Sequence, residues 1–156
     1  MIPDSQAALE KSIGFLTHTV GGVSNIWGVG QLESEMTISP AQAVIDNEII
    51  QYVKRFNRGV EVSDETLAID LVREVGISGS FLDRLHTAEN FQEELFLPSI
   101  LNRQKRVPWE SAGRSPLDKR AEEIADRLMF SEVGTGIDSD QHKEIERIVA
   151  RFKENN

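Results

Sequence analysis

Gly21-Gly22-Val23-Ser24-Asn25-Ile26-Trp27-Gly28-Val29-Gly30-Gln31-Leu32-Glu33 is the stretch on which the reading of this chain turns. From Gly21 to Leu32 it carries no charge, although 28% of the 156 residues are charged and the formal net charge is −9. A glycine-bounded, uncharged run with small and β-branched residues predicts a strand over residues 23–30 that is buried on both faces. Such a strand belongs in the middle of a parallel sheet and needs neighbours on either side. No other stretch reads as a convincing strand, so the expected class is α/β with most of the chain helical.

Working outward, Ser5 to Thr17 predicts a helix capped by Asp4 or Ser5, with Ala8, Leu9, Ile13 and Leu16 on its apolar face. Downstream, Ser39-Pro40-Ala41-Gln42 predicts a capping box with proline at the first helical position. The helix it opens carries Ala41, Ile45, Ile49, Tyr52, Val53 and Phe56 as a stripe and ends at Gly59. Ser63 caps a third predicted helix with Leu67, Ala68, Leu71, Val72 and Val75 inward and Gly76 at its end, followed by a turn to Gly79. A shorter helix starts at Thr87-Ala88-Glu89-Asn90 and stops near Pro98, after which residues 102–114 read as an irregular basic connection anchored by Trp109. Ser115-Pro116 opens a helix with Ala121, Ile124, Ala125, Leu128 and Met129 inward, and Ser139 opens a last one with Ile145, Ile148, Val149 and Phe152.

Composition excludes several classes of function. The acidic balance and the lack of a dominant Lys/Arg cluster oppose binding to nucleic acid or to an anionic membrane. With no cysteine there is no disulfide framework, thiolate zinc site or cysteine nucleophile. No apolar run approaches the ~18 residues of a membrane span, and the first residues lack the pattern of a signal peptide, so a cytoplasmic protein is expected. His86 reads as a neighbour of a helix start and His142 as a solvated helix residue. Asp64, Glu65 and Asp70 are spaced for a helix N-terminus rather than for a metal. No catalytic dyad and no metal ligand set is expected.

Candidate ligand contacts gather at the predicted strand. Asn25, Trp27 and Glu33 lie at or beyond its end, ahead of a capped helix, and in a (β/α)8 barrel that edge builds the active site. The competing role is packing, with Trp27 in the core and the glycines permitting close approach.

Several blocks then carry a resemblance. Pro3-Asp4-Ser5-Gln6-Ala7-Ala8-Leu9-Glu10-Lys11, the Gly22 to Glu33 segment, Thr37-Ile38-Ser39-Pro40, Val44-Ile45-Asp46-Asn47-Glu48-Ile49, Val62 to Ala68 and Arg73-Glu74-Val75-Gly76 follow one another in the order found in the C-terminal region of the trimethylamine methyltransferase family. The resemblance implies an enzyme with a TIM-barrel fold that moves a methyl group from a methylated amine to the Co(I) of a separate corrinoid protein, with no tightly bound cofactor of its own. Ser24-Asn25-Ile26-Trp27-Gly28 resembles the branch without pyrrolysine, which includes glycine betaine methyltransferases. On this reading residues 1–98 hold the last strand or strands and helices of the barrel, and residues 99–156 a linker and helical extension. The remainder of the barrel or a second copy is an expected partner. A quaternary ammonium expels a neutral amine, so the site needs positioning and cation recognition more than a general acid. Trp27 would face the cation, Glu33 would add charge complementarity, and His18 would meet a betaine carboxylate. For His18 the alternative is a helix C-terminal residue near carbonyls. In this chain the loop near His86 departs from the second histidine found in many relatives. A chain with only the last strands of a barrel is expected to be inactive alone; the alternative is a non-catalytic helical interaction module or assembly partner.

Overall fold

The computed structural model describes residues 2–131 and 136–154. Helix α1 (Ser5–Val20) begins where the Asp4 side chain accepts from the Ala7 N–H at 3.0 Å, the capping expected of a short acidic side chain. It runs three residues beyond the predicted end. The face that turns inward carries Phe15, which the sequence reading passed over, whereas Leu9 and Ile13 are more than half exposed.

No strand forms over residues 23–30. They run as turns and extended coil, mostly exposed, and the only pairing among the described residues is a two-residue antiparallel ladder of β1 (Gln31–Leu32) with β2 (Thr37–Ile38). The correction has a local cause. Gly22, Gly28 and Gly30 all adopt positive φ, and these repeated reversals take the backbone out of the extended region. The hairpin turn is itself unusual, with Glu33, Ser34 and Glu35 at φ 53°, 48° and 73°. Left-handed backbone at a residue bearing a Cβ costs roughly 1–2 kcal/mol each.

Helix α2 (Pro40–Asn57) is the scaffold. Ser39 accepts from the Gln42 N–H at 3.1 Å and Pro40 fills the first turn, as predicted, but the reciprocal half of the capping box is missing. Gln42 is instead buried, and its amide donates to Asp46 at 2.7 Å, while the Ser39 N–H reaches the Gly30 carbonyl at 2.8 Å. Ala41, Ile45 and Val53 are buried on the expected stripe, although Tyr52 and Phe56 are exposed. The core joins Ala41 and Ile45 to Ile100 and Ala121. Ile100 is brought there by Glu48, a buried carboxylate that accepts from the Ser99 N–H (2.8 Å), the Ser99 hydroxyl (2.5 Å) and the Ile100 N–H (3.3 Å).

The predicted third helix is two: α3 (Asp64–Leu67), opened by the Ser63/Thr66 capping box, and α4 (Ile69–Val75), parted by Ala68 in the left-handed region. Neither contains a fully buried residue, so its predicted inward face is a correction. Helix α5 (Leu85–Glu94) starts two residues before the predicted Thr87, and α6 (Arg106–Ser111) lies inside the stretch expected to be irregular. Pro108 is tolerated there because it occupies the first turn, where no backbone donor is needed. Helix α7 (Leu117–Met129) buries Ala121 and Ala125, whereas Leu128 and Met129 are exposed. In α8 (Ser139–Glu154) the expected apolar residues are exposed, and Asp138 rather than Ser139 supplies the cap, accepting from the Asp140 and Gln141 N–H groups. The chain divides into two compact units, Met1–Ala125 and Asp126–Asn156. No helix of the described residues is long and apolar enough to cross a membrane.

Candidate functional site

The first turns of α1, the 27–28 backbone and the β1–β2 turn enclose a cleft of about 450 Å³. Two of the four predicted ligand residues line it, Trp27 and Glu33. Trp27 is 71% exposed. The Glu33 carboxylate is oriented by the Thr37 hydroxyl, which donates to it at 2.7 Å across the hairpin. Asn25 is exposed and is not a lining residue. His18, also exposed, sits in the last turn of α1 and is not a lining residue either, and its carbonyl accepts from the Val23 N–H at 3.0 Å as the chain turns through Gly21-Gly22.

The cleft is acidic. Asp4, Glu10, Glu33 and Glu35 line it against a single basic residue, Lys11, a formal balance of −3. Lys11 is itself directed away from the open space, 3.5 Å from the wholly buried Asp46, and donates to the Gly28 carbonyl. An aromatic face beside unneutralised carboxylates suits a cation with an apolar periphery and disfavours an anion. Among the described residues no group of three histidine and carboxylate side chains is placed to hold a metal ion.

Behind the cleft lies a polar cluster that the sequence reading missed. Asp46 accepts from the Gly30 N–H at 2.8 Å and from Gln42 at 2.7 Å, in addition to its ion pair with Lys11. The available signal was an Asp and a Gln four residues apart, Gln42 and Asp46, each directly following a residue of the apolar stripe, where charge is costly unless paired. On the opposite side of α1 is an apolar groove of about 430 Å³, with Leu16, Ile49, Tyr52, Phe56 and Leu101 in its walls.

Residues 1–156 match the family described as trimethylamine methyltransferase (MTTB). The chain belongs to that family. A trimethylamine methyltransferase of Methanosarcina barkeri is 36% identical over 148 residues, covering 95% of this chain and 30% of that protein. One from Desulfitobacterium hafniense (strain DSM 10664 / DCB-2) is 37% identical over 125 residues, 80% of this chain and 25% of the relative. A glycine betaine methyltransferase of Desulfitobacterium hafniense (strain Y51) is 26% identical over 107 residues, 68% of this chain and 22% of its own. The chain thus spans about a third or less of the length of these trimethylamine methyltransferase family members. The relatives named for trimethylamine match at higher identity than the one named for glycine betaine.

Proposed function

We propose that this chain is the C-terminal portion of a TIM-barrel methyltransferase and that its cleft supplies one wall of a site for a methylated ammonium, the methyl donor. The observation that carries the reading is the exposed Trp27 beside a rim of four carboxylates, in a chain of this family. A quaternary ammonium, or a protonated tertiary one, leaves as a neutral amine once its methyl group is taken, so no general acid is required. What remains for the protein is to bind, orient and exclude water. Trp27 attracts the methylated cation through its ring quadrupole, and Glu33, fixed by Thr37, complements the charge. A separate corrinoid protein, as methyl acceptor, supplies the Co(I) nucleophile. In this scheme residues 1–98 contribute to the barrel and residues 99–156 form its helical extension. The acidic rim favours the ammonium end of a substrate; a betaine carboxylate would have to lie away from it, the part assigned to His18. A non-catalytic interaction module is the second reading, favoured by the open apolar groove.

The test is a titration of the chain with tetramethylammonium followed by amide NMR shifts. Trp27→Ala is expected to weaken binding by about fivefold, the loss of roughly 1 kcal/mol of cation–π attraction, with the melting temperature unchanged. Lower thermal stability at unchanged affinity would return Trp27 to a packing role.

A further inference from the structure

We infer that Lys11 and Asp46 form a positioning pair for the cleft, holding both ends of the Gly28–Gly30 turn so that Trp27 and Glu33 are presented to the ammonium; this rests on the reading of the cleft above. Lys11, on α1, donates to the Gly28 carbonyl, and Asp46, on α2, accepts from the Gly30 N–H at 2.8 Å. The two side chains meet at 3.5 Å, and Gln42 fixes the second Asp46 oxygen at 2.7 Å. One ion pair anchored on two helices therefore ties the carbonyl at the start of a three-residue turn and the N–H at its end. Trp27 immediately precedes that turn, and Glu33 follows it by three residues.

Asp46 is 0% exposed and Lys11 only 18%. A buried pair of this kind is not the most stabilising filling for such a space, since apolar replacements of similar volume are often neutral or better. What it adds is direction: two charged groups meet two backbone polar groups of fixed orientation. It also has an electrostatic consequence. Lys11 lines the cleft and would oppose a bound cation, and Asp46 is placed to neutralise it.

The experiment uses the full chain carrying Trp109→Phe, which leaves Trp27 as its one tryptophan. Time-resolved fluorescence anisotropy reads the local freedom of Trp27, a tetramethylammonium titration reads affinity, and a thermal melt reads stability, for Lys11→Met, Lys11→Arg and the double variant Lys11→Met/Asp46→Asn. The double variant avoids leaving an unpaired buried carboxylate. Losing the pair is expected to free Trp27 and weaken tetramethylammonium binding by about fivefold, the size of one or two hydrogen bonds, while Lys11→Arg keeps both near wild type. The direction is diagnostic. In Lys11→Met the loss of a positive charge would by itself tighten cation binding, the double variant leaves the net charge unchanged, and a purely structural role would lower the melting temperature without loosening Trp27 in the folded chain. Trp27 still ordered, with affinity unchanged or tighter, overturns the inference. If the unsubstituted chain binds no tetramethylammonium, the ammonium reading fails, and the pair is judged on Trp27 order alone: freed in the double variant it stands, held it falls. Should the double variant not fold, Asp46→Asn, which keeps the acceptor for Gly30 but leaves Lys11 unneutralised, is judged on Trp27 order alone: Trp27 freed supports the pair and Trp27 held overturns it.

Discussion

A side chain at Gly30 would collide with α2. An added Cβ would stand 3.0 Å from the Ala43 Cβ and 3.3 Å from the Ser39 carbonyl oxygen, and the backbone there has φ +75°. Gly30→Ala is therefore expected to cost about 1–3 kcal/mol, read as a lower denaturation midpoint with unchanged slope. Conformational strain and close approach act together at this residue, which the sequence flagged only as one glycine among several. Trp27 and Glu33 stood out in the sequence because an aromatic and an acid beside an uncharged run are unusual in themselves, and both line the cleft. Asn25 and His18 shared that neighbourhood in sequence but do not line the cleft, and the turn at Gly21-Gly22 lies between His18 and Trp27. Asp46 and Lys11 were not legible as a pair: their 35-residue separation in sequence is closed only by the packing of α1 on α2.

Among the elements, α2 was read most fully, since its cap, proline and stripe are all local signals. What the stripe could not show is that Glu48, on the same helix, recruits Ser99 and Ile100 from far along the chain. In Glu48→Ala the Ser99 N–H, the Ser99 hydroxyl and the Ile100 N–H all lose their acceptor. A destabilisation of about 1–3 kcal/mol is expected in chemical denaturation, and a change under 0.5 kcal/mol would show that this contact does not hold residues 99–100 to α2. The strand expected over residues 23–30 was misread for a physical reason. Uncharged, β-branched composition describes what a buried strand tolerates, but the glycines that bound the run also reverse the backbone, and only Gln31–Leu32 finds a partner. Periodicity likewise ran unbroken through Ala68, where a left-handed residue divides α3 from α4.

For the molecule as a whole, apolar side chains are left open on several helices, among them Val72 on α4 and Ile148 on α8, at 53% and 59% exposure. Exposed apolar surface of this extent favours association, so light scattering is expected to find assemblies larger than a monomer. A monodisperse monomer with a single cooperative melt would contradict that. Family membership was legible from ordered blocks of sequence. The barrel implied by it was not, because closing one takes eight strands and two short ones are present among the described residues. The central claim, that the Trp27 cleft recognises a methylated cation, is tested most directly by mapping amide NMR shifts during parallel titrations with tetramethylammonium and with tert-butanol, a neutral molecule of similar size. The account expects saturable shifts for the cation alone, centred on residues 27–35 and the first turns of α1. Equal responses to both molecules, or shifts centred on the apolar groove at Leu16, Tyr52 and Phe56, would contradict it.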